Sequence, residues 1–163
     1  MMKYFFPILL FVSILSNAQD LKEIRSQYPS AVKSAEITAK LEEKLTDVNS
    51  SNKVVLLAYK GAVSTLKAKF AKTKKEKKEY FKEGTSWIES AIRAEPSSIE
   101  IRYIRMSVQE NSPKFLGYHK NLEEDKAFVL KNYSSISSTE LKNVIKDFVL
   151  KSENFSETEK AGF

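Results

Sequence analysis

Apolar residues recur every three or four positions through most of this chain, with polar residues between them. That spacing gathers the apolar side chains on one face of a helix. It predicts about six main helices. The first spans about 30–48, with Ile37, Leu41, Leu45 and Val48 on one face. The Asn49–Asn52 stretch then reads as a turn. The second helix spans 53–71 and carries the small residues Ala58, Gly61, Ala62 and Thr65. The third spans 74–94 with Phe81, Gly84, Ile88, Ala91 and Ile92 inward, and Pro96 ends it because proline disfavours helix at the residue before it. The fourth spans 98–110, a short turn follows Pro113 and stops near Gly117, and the fifth and sixth span 122–132 and 138–151. A last turn begins at Ser156. No stretch alternates with the period of two that a strand requires.

Helix starts reinforce this reading. In a capping box, a short polar residue and a Glu three positions later satisfy each other's unpaired backbone N–H groups. Thr73 with Glu76, Ser97 with Glu100, Ser137 with Glu140 and Ser156 with Glu159 fit that spacing, and Asn121 with Glu124 is a close variant. Short connections favour antiparallel neighbours. The expected fold class is therefore all-α, with helical hairpins that either stack as a short solenoid or close into a compact bundle.

The N-terminus changes the picture. Lys3 precedes an apolar run from Tyr4 to Leu15, and Ser16-Asn17-Ala18 places small residues where a leader is cleaved. Twelve apolar residues are too few for a bilayer core, which needs about 20. The expectation is a signal peptide over 1–18 and a single helical domain over 19–163, periplasmic or secreted, with no stable membrane insertion after cleavage. Its removal lowers the formal charge from +6 to +5. The chain has no cysteine, so it has neither a lipid-attachment cysteine nor a disulfide, and its fold rests on packing.

The third helix carries the series Gly84, Ile88, Ala91 and Pro96. This small-x3-large-x2-Ala-x4-Pro spacing resembles the second helix of a tetratricopeptide repeat. In such a hairpin the small residues let two helices approach and the proline breaks the chain before the next unit. The Trp-x2-Leu-Gly-x2-Tyr series of that family's first helix is missing, and no second copy of the small-large-Ala-Pro series follows. The resemblance implies a degenerate helical-repeat domain of bacterial exported type that binds protein or peptide and catalyses nothing. First helices of each hairpin would line the inner groove.

Candidate chemistry is sparse. His119 is the single histidine, too few for the usual zinc site, and no G-x-S-x-G elbow or phosphate-binding glycine loop occurs. Neither catalytic residues, nor metal ligands, nor a cofactor are expected. Lys72, Lys74, Lys75, Lys77 and Lys78 form a basic cluster, but Glu76 and Glu79 interleave it and it contains no Arg. A solvated helix start explains it better than a nucleic-acid or membrane grip. Phe115, Leu116, Gly117 and Tyr118 crowd a connector, where they either plug the core's end or form an exposed patch.

On the fourth helix, Arg102, Arg105 and Gln109 fall at i, i+3 and i+7 and so share one face. In a repeat groove they would hold a carboxylate or acidic peptide by forked hydrogen bonds. The alternative is internal pairing with Glu100, Glu123 or Asp125. The expected function is a non-enzymatic protein- or peptide-binding module of the periplasm or envelope, with an unknown protein or acidic peptide as partner and no nucleic acid. A helical carrier of a small apolar ligand is the contrasting reading, and an enzyme comes last.

Overall fold

The computed structural model describes residues 11–163 apart from residue 50, with side chains described from Asp20 onward. The first ten residues of the expected leader lie outside the described residues. Among the described residues the fold is all-helical, with α1 (Phe11–Ala31), α2 (Ala35–Leu45), α3 (Val54–Phe70), α4 (Lys74–Ala94), α5 (Ile99–Asn111), α6 (Leu122–Asn132), α7 (Thr139–Lys151) and α8 (Glu157–Lys160). No helix among them is long and apolar enough to cross a membrane.

Two helices exceed the six expected. The short α8 stands where a last turn was expected, capped by the Ser156–Glu159 box. The larger difference is α1, whose Leu21, Ile24, Tyr28 and Ala31 are all buried. Their spacing of three, four and three residues is a helical stripe. Pro29 sits in its last turn. The next helix then starts later than expected, because the Ser34 hydroxyl accepts the Ile37 N–H (3.2 Å) and defines a new N-terminus. The Thr73–Glu76 box forms as expected. Two others shift by one residue: Ser98 caps α5 and Ser138 caps α7. Glu100 is thereby released to point inward.

The hairpins α1–α2, α3–α4 and α5–α6 pack side by side. The odd-numbered helices also contact one another in sequence, α1 with α3, α3 with α5 and α5 with α7. A solenoid would stop there. Here α7 also packs on α1, so the four close into a ring, with α2 and α4 laid outside against α3 and α5. Among the described residues, closure leaves no inner groove. It encloses α5, where every residue from Glu100 to Gln109 is buried.

The most extensive interface is that of α3 with α4. Gly61 and Gly84 meet there, backbone to backbone. A Cβ on Gly61 would sit 2.5 Å from the Gly84 carbonyl oxygen and 2.9 Å from the Ile88 nitrogen, and one on Gly84 would overlap the Gly61 carbonyl. Ala58, Ala62, Ile88 and Ala91 seal the crossing, each fully buried. Gly84→Ala therefore gains up to about 1 kcal/mol of helix propensity but forces the two backbones apart. The expected net loss is about 1–3 kcal/mol, read from the urea midpoint at unchanged slope; an unchanged or raised midpoint would show that the crossing tolerates separation.

Candidate functional site

Five of the ten enclosed α5 residues are polar, and an unpaired buried charge is costly. Glu100 accepts two hydrogen bonds from Arg25 of α1, from Nε at 2.6 Å and a terminal nitrogen at 2.5 Å. The Tyr59 hydroxyl of α3 donates a third at 2.9 Å. The bond to Glu100 is the main cause of a raised Arg25 pKa. Further along, the Ser107 and Tyr28 hydroxyls lie 2.8 Å apart, tying α5 to α1 again. Burial pushes Tyr28 up to about 12.

Arg102 and Arg105 do share a face, as expected, but that face meets α6 and not solvent. Asp125 is 0% exposed and takes a fork from Arg105, with Nε at 2.7 Å and Nη2 at 2.8 Å. Arg102 donates to the same carboxylate at 3.0 Å, to Glu124, and through Nε to the Pro96 carbonyl at 3.0 Å. Its guanidinium also lies over the Phe128 ring, 5.0 Å from the centroid. Arg105 reaches back to Glu89 of α4 at 3.1 Å. Burial opposes the charge on both arginines, but the carboxylates outweigh it and raise both pKa values. Hydrogen bonding from Arg102 holds the Glu124 carboxyl below its usual range.

The ligand-binding role expected of this pair is therefore corrected to an internal one, because their donors are committed within the chain. Gln109, the third residue of the stripe, is 1% exposed, so it too is closed to a partner. Asp125 is the centre of the cluster. Sequence reasoning named it only as one of three alternative partners, and it did not foresee Glu89 or Glu124.

The same cluster positions the connector after α5. Glu89 also accepts a 2.7 Å hydrogen bond from the Tyr118 hydroxyl. The Tyr118 ring meets Phe81 of α4 edge to face, with centroids 5.9 Å apart. Burial, then the Glu89 carboxylate, raises the Tyr118 pKa. His119 Nε2 lies 3.0 Å from the Ser112 carbonyl, which fixes the far side of the loop.

Between these anchors, Lys114–Leu116 form one 3-10 turn. Pro113 and Lys114 carbonyls accept the Leu116 and Gly117 N–H groups, each at 3.0 Å. Gly117 then reverses the chain at φ 68°, a left-handed conformation that suits glycine. The outcome is an ordered turn whose tip, Phe115, is 87% exposed. Of the two readings left open for this stretch, Tyr118 serves the core and Phe115 faces solvent.

Two shallow depressions lie elsewhere, on α2, α3 and α4. One of about 180 Å³ is lined by Lys60, Val63 and Trp87, and one of about 190 Å³ by Thr38, Phe70 and Tyr80. The Glu42–Lys67 ion pair borders both. Lys60 donates to the Thr46 and Val48 carbonyls at 2.8 and 2.7 Å, which closes the end of the first.

Compared with family models, with curated proteins and with solved structures, the chain matches none.

Proposed function

We propose that this protein is an exported, non-enzymatic interaction domain of the periplasm or cell envelope. It binds a protein or peptide through the connector between α5 and α6, with Phe115 as the anchor. One observation carries the reading: an aromatic ring held almost wholly in solvent on a turn ordered by hydrogen bonds and tethered to a buried ionic cluster. Isolated exposed apolar residues are ordinary on protein surfaces. A preorganised aromatic tip differs, because it can fill a partner's pocket with little further ordering, and such anchors dominate binding energy.

Export rests on Lys3, the apolar run and Ser16-Asn17-Ala18. The buried stripe described for α1 begins at Leu21, downstream of that cleavage point, so those core contacts survive cleavage. The degenerate tetratricopeptide reading rests on the small-residue crossing at Gly61 and Gly84, where the quoted series lies. The carrier reading is the weaker one. Pockets for small molecules usually enclose about 300–1,000 Å³, and the two depressions described are smaller and open.

The test is co-purification from the envelope with tagged wild type and with Phe115→Ser. The variant is expected to melt at the same temperature and to retain at least tenfold less of the captured partner. Equal capture by both proteins would remove Phe115 from the interface.

A further inference from the structure

The connector does not stand alone. Tyr118 docks on Phe81, and Phe81 shares one helical face of α4 with Lys74, Lys77 and Lys78, at seven, four and three residues before it. Residues 72–79 are all exposed, so the first turns of α4 carry a basic stripe from Lys74 to Lys78 roughly 6 Å long, at 1.5 Å per residue. The carboxylates interleaved in the run do not neutralise that face. Neither Glu76 nor Glu79 stands three or four residues from these lysines: Glu76 turns back to the Thr73 cap, and Glu79 sits 4.0 Å from Lys75. Among the described residues, Lys74, Lys77 and Lys78 make no ion pair. On the connector's other flank Glu123 is exposed at the start of α6, Glu124 beside it is paired with Arg102, and Lys114 and Lys120 of the connector are exposed.

We infer, granted the binding role of Phe115, that the partner is an acidic protein surface: an apolar pocket that takes the Phe115 ring, bordered by carboxylates that face Lys74, Lys77 and Lys78. Charge complementarity selects this class of partner. A bilayer would gain little from a single exposed ring, since binding there scales with buried apolar area, whereas a protein can enclose the ring in a pocket and set carboxylates against the lysines. The lysines steer association and the ring holds the complex.

Peptide display tests this with a defined probe. Random dodecapeptides are selected against the protein, and the best binders are measured against wild type, Phe115→Ser and the triple charge reversal Lys74→Glu, Lys77→Glu, Lys78→Glu. All three substituted lysines are exposed, and unchanged melting verifies the fold. The selected peptides should combine Asp or Glu with aromatic or leucine residues. Phe115→Ser and the triple reversal should each weaken binding at least tenfold in 50 mM salt, and the effect of the triple reversal should shrink in 0.5 M salt. If Phe115→Ser matters and the lysines do not, the acidic partner is wrong while the Phe115 reading stands. If neither matters, both fall. If no acidic peptide is selected, or if phosphatidylglycerol vesicles bind the protein through the same lysines and acidic peptides do not, the inference is overturned.

Discussion

Asp125→Ala is expected to cost about 3–5 kcal/mol of unfolding free energy, seen as a large fall in the urea midpoint. The carboxylate is fully buried and accepts three hydrogen bonds from two guanidinium groups. Removing it leaves two cations in a poorly hydrated site with only Glu89 and the half-exposed Glu124 nearby. Total stabilities of about 5–15 kcal/mol are usual, so the variant is close to unfolded. Much of the loss is the cost of uncompensated charge and not the worth of the pair. Combining Asp125→Leu with Arg102→Met and Arg105→Met should therefore recover a good part of it. A midpoint for Asp125→Ala within 1 kcal/mol of wild type would mean that water or another carboxylate reaches the arginines, and that the cluster is not the anchor described.

The second large effect appears in base. Tyr28, Tyr59 and Tyr103 are buried around α5, and burial raises all three, Tyr28 to about 12 and the other two well above the usual value. The sign follows directly. Below about pH 10 each is neutral whether folded or not, and the full stability is present. Above it the unfolded chain releases protons that the folded chain keeps, so stability falls as pH rises toward the folded-state values. One unit of differential binding is worth about 1.4 kcal/mol per tyrosine. Between pH 9 and pH 11 Tyr28 alone should cost about 1.4 kcal/mol, and Tyr59 and Tyr103 add to the fall in the same direction. Tyr103→Phe keeps the ring and should make that drop smaller. A stability that stays level from pH 9 to pH 11 would show that water reaches these hydroxyls.

Much of the helical framework was legible because its signals are local. Thr73, Glu76 and Pro96 mark the ends of α4, and both ends of that helix and of α6 stand where expected. The small residues of α3 and α4 announced a close crossing, and Gly61 meets Gly84 there. The start of the core was harder to read. The Leu21–Ala31 stripe adjoins the apolar leader run, and the first helix was expected to begin near residue 30, where α1 in fact ends.

Ring closure was out of reach, since α1 and α7 are more than a hundred residues apart and their contact leaves no periodic trace. The arginine stripe shows the same limit. Its spacing was plain, but which carboxylate it meets depends on how hairpins pack. Glu100, named as one possible partner, turns the other way to Arg25. Asp125 sits in a run of Glu123, Glu124 and Lys126 that reads as a solvated helix start. Phe115 was ambiguous for a simpler reason: an apolar residue in a turn looks the same in sequence whether it points in or out.

Amide hydrogen exchange on α5 tests the central claim most directly. If the four odd-numbered helices close into a ring, the amides from Tyr103 to Val108 should be among the slowest in the protein, exchanging only through global unfolding and tracking its free energy. The amides of the exposed start of α4 should exchange orders of magnitude faster. If the α5 amides exchanged as fast as those of that exposed helix start, the ring would be open and Arg102 and Arg105 accessible, which contradicts a closed fold built around the buried Asp125 cluster.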